Sequence, residues 1–137
     1  MTPEITEAQF RELVLRSTDT ELVELLDEPV LRRMLFERIF ELCCVSVDVA
    51  KTAKVDVVVR WAIGSGPDLW DMHVVGGTCA VVPGPSGQRP NVTLTMSDAV
   101  FLRLIARQSN GLHLLATGKV RVRGSKHTVM RMDSWFR

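Results

Sequence analysis

The sequence predicts an α+β protein, with one sheet covered mainly on one face by helices. Two observations on hydrophobic period carry that prediction. Up to about Leu42, apolar side chains return every three or four positions, the repeat of a helix. From Val55 onward they alternate, the repeat of a strand with one buried face. The third observation is order. Helices come first, then short strands joined by turns, then helix, strand and helix, without the βαβαβ alternation of a doubly wound sheet.

Each element has its own signals. Thr6 ahead of Glu7 is a good N-cap, and Phe10, Leu13 and Val14 follow at helical spacing. A second helix starts near Asp19 or Thr20 and carries Leu22, Val23, Leu25 and Leu26. Pro29 suits the first turn of a third helix, with Asp27 and Glu28 at its positive end. On that helix Leu31, Met34, Leu35, Arg38, Ile39 and Leu42 fit one side, with Phe36 and Phe40 beside them. A stripe this broad is expected to bury against something sizeable.

Val55, Val57, Val59, Trp61 and Ile63 then form one apolar strand face. Gly64-Ser65-Gly66-Pro67-Asp68 is turn chemistry. Trp70, Met72 and Val74 make a second strand, and Gly76-Gly77 is a tight-hairpin signal. Thr78–Val82 is the third strand, Pro83–Pro90 a polar loop, and Val92, Leu94 and Met96 mark the fourth. Ser97-Asp98 caps a helix buried through Val100, Phe101, Leu104 and Ile105, which Ser109-Asn110-Gly111 stops. A short helical turn through His113–Ala116, a fifth strand at Lys119–Arg123 and a closing helix at His127–Phe136 complete the chain.

Composition narrows the function classes. At 137 residues the chain suits a single domain, 1–137, with 1–30 as a helical extension and 31–137 as the core. It is 46% hydrophobic and 24% charged, with no run of about 20 apolar residues to span a bilayer. Its acidic start does not resemble a secretory signal, so a cytoplasmic location is expected. Cys43, Cys44 and Cys79 are expected to be reduced core residues, and the three histidines show no metal-ligand spacing. Net charge runs from −6 over residues 1–50 to +7 over residues 101–137. The acidic and basic parts either attract within the fold or leave the basic part facing an anion or a membrane surface.

Catalytic signatures are missing: no phosphate-binding loop, dinucleotide fingerprint or nucleophile elbow occurs. Asp71 and His73 share a strand face, expected to be solvated rather than an acid–base pair. Lys119, Arg121 and Arg123 form a basic strand without interleaved aromatics, which argues against nucleic acid. No catalytic residue, metal or cofactor is assigned. What remains is apolar surface between sheet and helices, either closely packed or leaving room for a guest.

Three strings in order resemble the sterol carrier protein type-2 family over about Leu35 to Phe136. They are Trp70 with Val74, Val75 and the Gly76-Gly77 turn; Pro90-Asn91-Val92-Thr93-Leu94-Thr95-Met96-Ser97-Asp98; and Thr117-Gly118-Lys119-Val120-Arg121-Val122-Arg123-Gly124. The chain departs from the family at Ser125, where an acidic residue is usual, and at Gly76, where the hairpin usually has Asp-Gly. The helices before about Pro29 have no counterpart.

The resemblance implies a five-stranded mixed sheet with a cavity for a fatty acid, acyl-CoA or sterol-like lipid, and binding rather than catalysis. The expected lining is Val57, Val59, Trp61, Met72, Val74, Leu94, Met96, Phe101, Leu104, Ile105, Met132 and Phe136. Lys119, Arg121 or Arg123 is the expected rim for a head group, with transient membrane-surface contact. The alternative is an interaction or homodimerisation module with a filled core.

Overall fold

The computed structural model describes residues 6–106 and 111–136. Strands β1 (Asp56–Ile63), β2 (Asp68–Val75), β3 (Thr78–Pro83), β4 (Val92–Met96) and β5 (Arg121–Gly124) form one sheet in the order β3-β2-β1-β4-β5. β1 and β4 run parallel and the other pairs antiparallel, so the sheet is mixed. Gly76 (φ +55°) and Gly77 (φ +82°) take the left-handed values that a two-residue hairpin between β2 and β3 requires. A parallel pair needs a longer return, supplied here by that hairpin and residues 84–91.

The helices are α1 (Glu7–Arg16), α2 (Asp19–Leu25), α3 (Pro29–Val45), α4 (Val49–Thr52), α5 (Asp98–Ile105), α6 (Gly111–Ala116) and α7 (Lys126–Met132), with a 3₁₀ turn at Asp133–Trp135. Side chains start several of them. Thr6 and Thr18 form capping boxes with Gln9 and Glu21. The Glu28 carboxylate accepts from the amides of Val30 and Leu31, and Ser97 accepts from that of Val100. Phe10, Val14, Leu22 and Leu26 of the first two helices are buried in the common core, and both helices pack on α5.

α3 is rotated relative to the sequence expectation. Phe36, Ile39 and Phe40 face the core, whereas Leu31 and Met34 are exposed. Two forces set this orientation. The phenyl rings meet the tryptophans of the sheet, and Arg32, one turn before Phe36, is held on the same side. Its guanidinium takes Asp98 at 2.7 and 2.8 Å, Asp68 at 2.5 Å and the Ile63 carbonyl at 3.2 Å. Arg32 thereby ties α3 to the β1–β2 turn and to the first turn of α5.

Two other boundaries differ. β5 begins at Arg121, because the amides of Lys119 and Val120 donate to the Leu114 carbonyl and close α6 instead. The sequence reading also passed over α4, whose N-cap Asp48 accepts from the Lys51 amide at 3.0 Å. The expected stop at Ser109-Asn110 lies outside the described residues.

Candidate functional site

Register places every expected strand residue on the helix-facing side of the sheet. Val57 opposes Val74, Val59 opposes Met72, and Trp61 opposes Trp70 across the β1–β2 pair. On the other edge of β1, Val59 meets Val92, Trp61 meets Leu94 and Ile63 meets Met96. Phe101 and Met132 join the same core from α5 and α7. Val59, Trp61, Met72, Val74, Leu94, Met96, Phe101 and Met132 are buried, while Val57, Leu104, Ile105 and Phe136 are half-buried against them.

The face is not uniform. At the carboxyl half of β1 it is filled by five aromatic rings. Phe40 lies 5.5 Å from Trp70 and from Phe101 and 5.8 Å from Trp61, centroid to centroid. Phe36 meets Phe101 at 5.3 Å and Trp70 at 6.2 Å, and Trp61 meets Phe101 at 5.8 Å, all three edge-on. Edge-on pairs gain from ring quadrupoles beyond their buried area. The sequence reading placed Phe36 and Phe40 only beside a stripe and gave them no part in the site. At the margin of the core Val57, Leu104, Ile105, Phe136, Val122 and Val129 are half-buried and pack against it.

One polar atom inside the block has no partner: the buried Nε1–H of Trp61 finds no acceptor among the described residues. A buried donor left unmatched costs about 1–3 kcal/mol. The terminal segment is fastened at this margin. Phe136 bridges to Val47, and the Asp48 amide donates to the Trp135 carbonyl at 2.6 Å.

The opposite sheet face behaves differently from its expected solvated state. Asp71 is only 2% exposed. Arg60 grips it through both carboxylate oxygens, and the Ser86 amide donates to it at 2.8 Å from the loop folded over this face. Burial pushes the Asp71 carboxyl up, but the hydrogen bonds from Arg60 and Ser86 outweigh it and bring it down to about 2. His73 turns instead to Asp56, its Nε2 2.8 Å from Oδ1, so the two β2 residues are not an acid–base pair. Arg121 and Arg123 oppose Thr95 and Thr93. They stand on this second face, away from the apolar site, so the expected basic rim is misplaced.

The cysteines are free and half-buried rather than fully core. Cys44 and Cys79 share a hydrogen bond between α3 and β3, which pulls the Cys44 thiol down and pushes the Cys79 thiol up. Among the described residues no group of three or more His, Cys, Asp or Glu could hold a metal ion, and no helix is long and apolar enough to cross a membrane.

The comparisons match this architecture. Over 62 residues the chain shares 27% identity with peroxisomal multifunctional enzyme A of Dictyostelium discoideum, covering 45% of this chain and 14% of that protein. The fold is similar to the stereoselective inverting sec-alkylsulfatase Pisa1 from Pseudomonas sp., with TM-score 0.65, 15% identity, and coverage of 72% of this chain and 16% of that one. It is also similar to palmitated SCP2L2 from Aedes aegypti, with TM-score 0.57, 21% identity, and coverage of 72% and 87%. The chain thus spans a small fraction of the two larger proteins. The model of the SCP-2 sterol transfer family matches residues 36–137, three-quarters of the sequence, and the chain belongs to that lipid-binding family.

Proposed function

We propose that this protein is a non-catalytic cytoplasmic lipid carrier. It holds one fatty acyl or sterol-like lipid between the helix-facing side of the sheet and helices α5 and α7, and hands it on. The observation that carries this reading is the set of half-buried apolar residues at the margin of the core, Val57, Leu104, Ile105 and Phe136. An alkyl chain buried against these residues would gain about 0.8 kcal/mol for each methylene removed from water. Family membership and the palmitated state of the Aedes aegypti neighbour point the same way.

The test is native mass spectrometry of gently purified protein, joined to titration with a fluorescent fatty acid. A saturable 1:1 complex is expected. Absence of both co-purified lipid and saturable binding would remove the carrier role.

A second reading has its own observation. Val30, Leu31 and Met34 form an exposed apolar strip on α3, suited to homodimerisation with the core filled. Sedimentation velocity separates the two: a monomer that binds lipid supports the carrier, and a dimer that binds none supports the module.

A further inference from the structure

We propose that the cleft between α4 and α7 seats an oxyanion, a carboxylate or phosphate, as the head-group port of the lipid site. This rests on the carrier reading and adds the chemical class of the ligand's polar end. The cleft encloses about 200 Å³. That is small beside the roughly 300–1,000 Å³ of sites that enclose a whole small ligand, and it suits a head group alone.

Three cations line it. Lys51 stands in the last turn of α4, Lys54 in the turn leading to β1, and Arg131 in the last turn of α7. No ion pair engages any of the three among the described residues. Thr128 also lines the cleft, its hydroxyl donating to Ser125 Oγ at 2.9 Å. Among the described residues Asp56 is the single carboxylate in the lining, and one of its oxygens is already taken by His73. Three positive charges around one partly engaged negative charge leave a net attraction for anions.

The inner wall links this polar mouth to the apolar site. Val57 lines the cleft and also stands opposite Val74 on the helix-facing side of the sheet. Trp135, 2% exposed, lines the cleft and belongs to the core cluster with Met132. Polarity therefore falls inward from ammonium and guanidinium groups to valine and tryptophan. An amphiphile with an anionic head and an alkyl tail matches that gradient in one orientation only. The sequence does not reveal this port because its cations come from two segments nearly 80 residues apart, whereas the basic residues of Lys119–Arg123 stand close together and are therefore conspicuous.

The experiment compares palmitate, methyl palmitate and a monoacyl glycerol phosphate by fluorescence displacement. It uses the native protein, the variant Lys51→Ala/Lys54→Ala/Arg131→Ala and the control Arg121→Ala/Arg123→Ala. All five positions are exposed. The cleft variant is expected to lose about tenfold in affinity for both anionic lipids, the sum of three solvent-facing ion pairs. Methyl palmitate binding and the control variant stay unchanged, and raised salt shrinks the difference.

Equal loss for acid and ester, or none for either, overturns the port while leaving the carrier role intact. If no lipid binds at all, the carrier reading fails separately. Titration with inorganic phosphate, followed by NMR at Lys51, Lys54 and Thr128, then decides the oxyanion site. Saturable shifts absent from the cleft variant keep it as a site for free phosphate, and absence of shifts ends it.

Discussion

Arg60 of β1 and Asp71 of β2 face each other directly in register and form a two-pronged ion pair, Nε to Oδ1 at 2.9 Å and Nη2 to Oδ2 at 3.1 Å. The pair lies on the sheet face opposite the apolar site. The loop covering it places Gly84 so near that an added Cβ would meet Asp71 Oδ1 at 3.1 Å. The sheet that presents the site is therefore clamped from behind, and the clamp depends on a charge.

Replacing Asp71 with Asn should cost about 3 kcal/mol in urea unfolding at pH 7. That is the low end for breaking a buried pair, because the Arg60 side chain keeps 19% exposure. The loss should depend on pH. The Asp71 carboxyl titrates lower in the folded chain, near 2, than in the unfolded chain, near 3.9. Its contribution is thus complete above about pH 5 and is lost as pH falls through 2, amounting to about 2.5 kcal/mol. Native and variant unfolding curves should converge over that window. A constant gap down to pH 2 would contradict the assignment.

The aromatic block gives a second expectation. Phe40 touches three rings at once, so Phe40→Ala should destabilise the fold by about 4 kcal/mol. Leu31→Ala and Met34→Ala, on the exposed side of the same helix, should each change stability by about 0.5 kcal/mol or less in the monomer. Denaturant midpoints for the three variants test the orientation of α3. Comparable losses at all three positions would mean that the apolar stripe faces the core as the period alone suggested.

The difference between period and packing shows what the sequence makes legible. The alternation from Val57 to Trp61, the paired glycines at Gly76 and Gly77, the caps at Thr6 and Ser97, and Pro29 in the first turn of α3 are local signals, and they lead directly to the sheet, its hairpin and several helix starts. The seven expected strand residues, Val57, Val59, Trp61, Met72, Val74, Leu94 and Met96, share one sheet face because strand faces follow from parity. Helix rotation does not follow so simply. On α3 nearly every side is apolar, and its orientation depends on Arg32 reaching Asp68 and Asp98, residues 36 and 66 positions away. Asp71 was expected to be solvated for a similar reason, since the loop that buries it returns from residues 84–88. Long-range polar contacts were the illegible part.

The shared thiol hydrogen bond between Cys44 and Cys79 predicts an order of reactivity. The bond from Cys79 stabilises the Cys44 thiolate against the opposing effect of burial. Cys79, donating to Cys44 and half-buried, is harder to ionise than a free thiol. Since the thiolate is the nucleophile, iodoacetamide at pH 8 should label Cys44 well before Cys79. Cys44→Ala should then speed labelling of Cys79 by removing its acceptor. Peptide mapping over time reads both effects, and equal labelling of the two thiols in the native chain would show that the hydrogen bond does not persist in solution.

The first two helices lie outside the matched family segment, and Arg103 of α5 is what fastens them. Its guanidinium donates to the Val14 carbonyl at 3.2 Å, the Ser17 carbonyl at 2.9 Å and the Asp19 carboxylate at 2.8 Å. The first two carbonyls belong to the end of α1, where helix geometry leaves acceptors unmatched and the helix dipole favours a cation. Arg103→Met keeps the aliphatic stem but removes all three contacts. The buried Phe10, Val14, Leu22 and Leu26 should keep α1 and α2 associated with α5, yet they should open more often. Trypsin should therefore cleave after Arg11 and Arg16 about tenfold faster in the variant, as a loss of about 1.4 kcal/mol in local stability requires. Hydrogen exchange in α1 and α2 should accelerate in parallel, while β1, β2 and β4 keep their native protection. Unchanged cleavage and exchange would mean that apolar contact alone holds these helices. Acceleration throughout the sheet would mean that they are integral to its stability rather than an extension laid upon it.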